Sequence, residues 1–244
     1  MASLTMLTAD ELVRRILDGE RNFKATQIPA DKGNLAAVDG YAEMNAYLLT
    51  QDLRDQPIEA QGVEWRGLQA PGLYFFGSKM AGADLSGGNL AGADLRRADF
   101  TGGRLRDADL RRTVFNQGRY IETDFTGAVM CGSDFYEANF SKAQLIDVDL
   151  AGAYTLRSNL SGADFTGSQL TRATFYRSDL RGAKGLASTR DLGTCEFRNT
   201  VVTLEERRII EQAIDSLPRF DVRPEIESAP SRDQRRTPDG DRGG

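Results

Sequence analysis

From Met80 to Leu180 every fifth residue is a large side chain at all but one of 21 positions. The set begins Met80, Leu85, Leu90, Leu95, Phe100 and ends Leu170, Phe175, Leu180, with Thr155 as its one lapse. Two residues before each tooth sits a smaller side chain, as in Ser78, Ala83, Gly88, Ala93 and Ala98. An α-helix needs apolar spacings of three and four, and a long strand needs strict alternation, so a period of five fits neither. Residues two apart do share one side of an extended segment, so each tooth and its small companion can both point inward. The remaining two residues must turn the chain. Glycine, which adopts positive φ cheaply, stands at the second of these corner positions in nine of 20 repeats, among them Gly87, Gly102 and Gly152. A repeated strand-and-corner unit that buries its edge against the next predicts a solenoid.

The triplets Ala83-Asp84-Leu85, Ala93-Asp94-Leu95, Ala98-Asp99-Phe100, Ala108-Asp109-Leu110 and Ala163-Asp164-Phe165 carry a family resemblance. In register over about a hundred residues, they resemble the signature of pentapeptide-repeat proteins. The resemblance implies an all-β solenoid, a right-handed quadrilateral β-helix with four five-residue faces per coil. Residues 20 apart would then stack, roughly 4.8 Å from coil to coil as in paired strands.

The flanks break the comb. Thr8-Ala9-Asp10-Glu11 is a capping-box pattern, followed by Leu12, Val13, Ile16 and Leu17 at helical spacing. Phe23 and Ile28 read as the first core residues, and Tyr41, Met44, Leu48 and Leu49 as an inserted helix. Residues 1–55 therefore form an N-terminal segment with a helical insertion, and residues 56–202 form the repeat region. In its early coils Val63, Leu68 and Leu73 fill the normally small position while Trp65 and Phe75 fill the large one, which predicts wider or distorted coils. After Leu180 the phase slips by two residues and resumes at Leu192, Phe197 and Val202. Thr203-Leu204-Glu205-Glu206 is a second capping box, opening a helix over 203–220 with an apolar stripe at Ile210, Ala213, Ile214 and Leu217. That stripe either caps the last coil or joins two chains as a homodimer, as a C-terminal element does in some members of the family. Residues 221–244, rich in Pro, Gly, Arg and Asp, predict a disordered tail.

Composition narrows function. The chain has no histidine, which removes imidazole acid, base and metal chemistry. No nucleophile-base pair, phosphate-binding glycine motif or metal-ligand cluster stands out, so neither catalytic residues nor a cofactor are expected. Its two cysteines, Cys131 and Cys195, lie far apart and suggest a reducing compartment, with Cys131 an ordinary corner residue. The N-terminus lacks a basic segment followed by an apolar run, and no apolar stretch has bilayer length, so the expectation is a cytoplasmic protein without membrane contact.

Function must then reside in the outward residues. On the face of Leu85, Leu105, Phe125, Leu145 and Phe165 the outer positions include Asp84, Asp107, Asp124, Asp147 and Asp164, against Arg104 and Arg106. These acids either imitate the phosphates of DNA or serve as turn-bonding residues of the repeat. The resemblance makes DNA mimicry concrete, because members of the family bind DNA gyrase and related type II topoisomerases such as topoisomerase IV and protect them from poisons. Charge argues against it: residues 56–186 contain 15 acidic and 15 basic side chains, and the net −5 comes from the ends. The same neutrality argues against direct nucleic-acid binding. On the opposite face Tyr136, Leu156 and Tyr176 form one outward column flanked by Tyr154, Arg157 and Arg177, residue types enriched at protein contacts. The reading is a non-enzymatic protein-binding solenoid, with a topoisomerase as the most specific partner and a general interaction scaffold as the alternative.

Overall fold

The computed structural model of the chain describes residues 4–216 and 226–228. Its central part is a parallel coil. Single β-bridges join Asp84 to Arg104, Arg104 to Asp124, Asn89 to Asp109, Asp94 to Val114 and Asp99 to Arg119, each to the residue four repeats further on. A five-residue unit that returns to register after four repeats gives four faces per turn, named here after Leu85, Leu90, Leu95 and Phe100. The large teeth are all buried, and Thr155 is buried with them. Their small companions fill the same interior, and from Thr113 to Ser178 the Ser and Thr hydroxyls among them are satisfied by a carbonyl of the coil before, while Ser78 donates to Phe75 O of its own coil. Ser133 Oγ donates to Leu110 O at 2.8 Å and Thr123 Oγ1 to Phe100 O at 2.8 Å, so burial leaves neither hydroxyl unpaired.

Every second-corner residue from Gly87 to Gly182 has positive φ, whether or not it is glycine. Arg112, Gln117, Glu122 and Lys142 are among the others, with φ between 55° and 59°. Each turn is over-determined by the bridges on both sides, which hold L-residues in a conformation costing roughly 1–2 kcal/mol each.

The early coils are not distorted. Ile58, Val63, Leu68 and Leu73 are fully buried in the inner position, and Ala60 and Ala70 take two of the main positions beside Trp65 and Phe75. Volume has been exchanged within the coil rather than added to it.

At the N-terminal end, β1 (Thr5–Met6) pairs in parallel with β2 (Thr26–Gln27), and α1 (Ala9–Leu17) begins with the capping box of Thr8 and Glu11. Asn22, Gln27 and Asn34 bridge to Glu59, Glu64 and Gln69, so Phe23, Ile28 and Leu35 occupy three faces of the first coil. Helix α2 (Tyr41–Thr50) stands where the fourth face would be. Its Asn45 Oδ1 accepts the Tyr74 amide at 2.9 Å, replacing the backbone partner that a preceding coil would have offered. Met44 and Leu48 are buried, while Leu49 is turned outward.

Toward the C-terminus the Leu95 face becomes a true parallel sheet of β3 (Tyr154–Leu156), β4 (Thr174–Tyr176) and β5 (Glu196–Arg198). Thr155 aligns with Phe175 in the regular register, but Phe175 aligns with Phe197, two positions beyond it. The slip enters in single steps, since Gln169 bridges Arg190, one position beyond the regular register. Its extra residues are taken up around 3-10 turns at Leu186–Ser188 and Leu192–Thr194. Strand β6 (Thr200–Val202) then leads into α3 (Leu204–Asp215), which packs on both 3-10 turns and on β6. Ile210 is fully buried within the chain, and Ala213 and Ile214 pack partly buried against the core. Leu217, the fourth residue of the apolar stripe, lies outside the described residues. Of the region expected to be a disordered tail, Ile226–Ser228 forms β7 and pairs in parallel with β6.

Candidate functional site

The five aspartates of the Leu85 face meet different fates. Asp84 is buried at 3% exposure and pairs with Arg66 Nε at 2.8 Å and Arg104 Nη1 at 3.4 Å. Asp124 pairs with Arg106 at 2.9 Å. Three of the five also accept the amide two positions ahead: Ser86 N to Asp84 at 3.1 Å, Thr126 N to Asp124 at 2.9 Å, and Thr166 N to Asp164 at 3.0 Å. These are the local turn bonds that short acidic side chains favour. Burial works to raise the Asp84 and Asp124 carboxyls. The hydrogen bonds from Ser86 and Thr126, with the charges of Arg66 and Arg106, outweigh it and hold both below the ordinary carboxylate range. Asp107 and Asp147 sit at positive-φ corners, exposed, with their carboxylates against Gly127 and Gly167 of the following coil. Along the bridged column the order is Glu64, Asp84, Arg104, Asp124, Gln144, Asp164, Lys184. From Asp84 onward each acid is followed by a base or an amide, so beyond the Glu64–Asp84 step no row of negative charge results.

The Leu95 face differs. Tyr136, Leu156 and Tyr176 stand in one outward column on successive coils, half-buried, and Tyr154 is 41% exposed. Arg177 lies over the Tyr176 ring, 5.3 Å from its centroid. Along the adjoining corner a ladder that the sequence reading did not find climbs four coils: Arg97 donates to Gln117 at 2.9 Å, Gln117 to Glu137 at 3.0 Å, and Arg157 to Glu137 at 3.4 Å. Its signal was present, since these four residues share one corner position on successive coils. The Gln117 amide, helped by Tyr136 and Arg157, keeps the Glu137 carboxyl below its ordinary range. The nearby Glu137 carboxylate in turn raises the Tyr136 phenol.

Nearer the N-terminus, Thr50–Arg54 and the outward pair Tyr74 and Phe76 line an open groove of about 480 Å³ with Arg96. Tyr74 and Phe76 flank the buried Phe75, so both project on the same side, their rings 6.4 Å apart at 10°. Arg96 is held by Asp94 at 2.6 Å and lies over Phe76.

Cys195 is buried, and its thiol is pushed up to about 12 by burial; Sγ donates to Leu170 O at 3.0 Å. Cys131 is half-buried. Among the described residues no group of three or more Cys, Asp or Glu is placed to hold a metal ion, and no helix is long and apolar enough to cross a membrane.

Comparison with known proteins agrees with this architecture. Pentapeptide repeats, in eight copies, match residues 78–117, 121–152 and 157–184. HetL, a pentapeptide repeat protein involved in heterocyst differentiation regulation from the cyanobacterium Nostoc sp. strain PCC 7120, superposes with a TM-score of 0.63 at 21% identity, over 81% of each chain. A pentapeptide repeat protein of the Arabidopsis thaliana thylakoid lumen matches at 24% identity over 55% of this chain and 77% of its own, with a TM-score of 0.25. Trypsin-treated QnrB1, a plasmid-mediated fluoroquinolone resistance protein, matches at 17% identity over 66% of this chain and 90% of its own, also at 0.25. No curated protein matches the chain by sequence. At its 21% identity the likeness to HetL is one of fold. The five-residue comb, the parallel register of four repeats per turn and the eight matched copies together identify the coil over residues 78–184 as pentapeptide repeats.

Proposed function

We propose that this chain is a non-catalytic protein-binding coil whose contact surface is the Leu95 face. The observation that carries the reading is the exposed Tyr154, with Leu156 and Tyr176 beside it, on a face whose last three coils pair as a three-stranded parallel sheet. Tyrosine and arginine give large contact area for little lost rotamer freedom, and a rigid sheet holds them in place before binding. We take the coil to be right-handed, the hand that parallel connections within one sheet adopt. Affinity capture with the full chain tests the function. A protein retained by the native chain and lost with Tyr136→Ala combined with Tyr176→Ala supports the contact face, and one retained equally by both removes it.

The finer reading is a type II topoisomerase, DNA gyrase or topoisomerase IV, bound by imitation of DNA. It would use Asp84, Asp107, Asp124, Asp147 and Asp164 on the opposite face. Burial and pairing of Asp84, the Asp124–Arg106 pair and the interrupted column weigh against it. The expected result is unchanged supercoiling by gyrase at micromolar protein. Inhibition, or rescue from a poison, that disappears on charge reversal of Asp124 and Asp164 would establish mimicry instead.

A further inference from the structure

The Leu95 face changes character along its length. At its N-terminal end α2 overhangs the coil, and Arg96 is committed to Asp94. On the coils of Thr155, Phe175 and Phe197 the side chains of Tyr154, Arg157, Arg177, Glu196 and Arg198 are exposed, and the outward charges are Arg157, Arg177 and Arg198 against Glu196 alone. Arg157 leans toward Glu137 of the coil before at 3.4 Å, and Arg198 toward Glu196 at 3.7 Å. Both are loose pairs between exposed side chains, which contribute little. Arg177 has no carboxylate in salt-bridge contact among the described residues and lies over the Tyr176 ring. Arg172, at the corner leading into β4, likewise has no carboxylate partner there. The patch therefore joins surplus positive charge to the apolar and aromatic surface of Leu156, Tyr154 and Tyr176.

We infer that this C-terminal half of the Leu95 face docks an acidic amphipathic α-helix of a partner protein, laid along the axis of the coil. The inference rests on the contact face proposed above and adds the chemistry of its occupant. Charge fixes the sign, since three arginines against one glutamate select carboxylates. Spacing fixes the form. Successive coils lie about 4.8 Å apart, so three coils span about 9.6 Å. An extended chain presents side chains to one side every 6.6–7 Å or so and falls out of step after one contact. A helix rises about 1.5 Å per residue, so positions i, i+3 and i+7 lie at about 0, 4.5 and 10.5 Å and keep step across all three coils. Carboxylates at i and i+3 meet Arg157 and Arg177 along the corner, the one at i+7 meets Arg198, which stands one residue inward in the column of Leu156 and Tyr176, and apolar residues between them cover Leu156 and the tyrosine rings.

Fluorescence anisotropy with the full chain tests this. The probe is a labelled helical peptide of about three heptads with Glu at i, i+3 and i+7 and Leu beside them. Saturable binding that weakens with salt, falls ten-fold or more with Arg177→Glu and Arg198→Glu combined, and falls with Tyr176→Ala supports the inference. All three side chains lie on the outer surface, and melting curves check that the variants remain folded. Equal binding of a Lys-for-Glu peptide, of a proline-broken peptide of the same composition or of a short DNA duplex overturns it, as does binding unaffected by the variants. If the captured partner still depends on Tyr136 and Tyr176 while the helical peptide fails to bind, the helix is wrong and the contact face stands.

Discussion

Gly118 occupies an inner position of the comb, and the ring of Tyr120 fills the space its side chain would need. A methyl group there would lie 2.5 Å from Tyr120 Cε2 and 2.7 Å from its hydroxyl. The ring cannot swing away freely. Its hydroxyl donates to Leu95 O at 2.7 Å, and it stacks on Phe140 with centroids 4.7 Å apart, inside a cluster that includes Phe115, Phe125 and Phe135. Gly118→Ala is therefore expected to destabilise by about 2 kcal/mol, the usual cost of overpacking a dense core. In a Tyr120→Leu background most of that cost should vanish. Urea unfolding of the four proteins gives the coupling energy, and additive effects would show that the clash is relieved elsewhere. The sequence showed that position 118 must be small, because it falls in the comb. It could not show why glycine is needed, since that depends on how the one tyrosine among the large teeth folds back. Corner conformation was half-legible for a related reason. Glycine announces positive φ at Gly87 or Gly152, but nothing in Arg112 or Lys142 does; their conformation is imposed by the bridges of neighbouring coils.

At the level of elements, both ends of the coil are finished by side chains that stand in for the missing next coil. Glu206 is buried at 5% exposure and does two tasks. One oxygen accepts Thr203 N at 2.5 Å, closing the capping box of α3, and the other accepts Gly182 N at 2.8 Å. In the regular coils that amide position donates to a carbonyl of the following coil, as Gly162 N does to Arg181 O. Glu206→Ala removes the acceptor of two amides at partly exposed sites and should destabilise by about 1–3 kcal/mol, with α3 opening first in hydrogen exchange. At the other end Glu59 bridges Lys24 at 2.5 Å and Lys79 at 2.9 Å, tying the first three coils together. Their hydrogen bonds lower its carboxyl from 4.5 to about 2. A lowered carboxyl contributes stability that is fully present above the ordinary value and lost as pH falls through about 2. An NMR titration should place the Glu59 midpoint near 2 and move it upward in Lys79→Met; a midpoint near 4.5 in the native chain would mean the bridge is absent in solution. The capping boxes were legible as local patterns in adjacent residues. The Glu206 bond to Gly182 and the pairing of β7 with β6 were not, because each joins segments well separated along the chain that no periodicity connects.

At the scale of the molecule, a parallel coil has two kinds of surface, its ends and its sides, and only unpaired ends invite association through strands. Here β1 and α1 cover the first coil, while α3 and β7 cover the last. The C-terminal helix has already spent Ile210 on its own chain, and Ala213 and Ile214 pack on the same core. A dimer formed through this stripe would have to strip α3 from the coil and expose its 3-10 turns. The sides offer a column of acids interrupted by bases on the Leu85 face and a basic, aromatic patch on the Leu95 face, so self-association has no continuous acidic surface to use. Sedimentation equilibrium should give the mass of one chain. Ile210→Asp should leave that mass unchanged while lowering stability by about 3 kcal/mol or more, because a carboxylate would enter a fully buried site. A native chain of twice the mass that halves with Ile210→Asp would instead assign α3 to a dimer interface, and the C-terminal end of the coil would then be closed by a second copy.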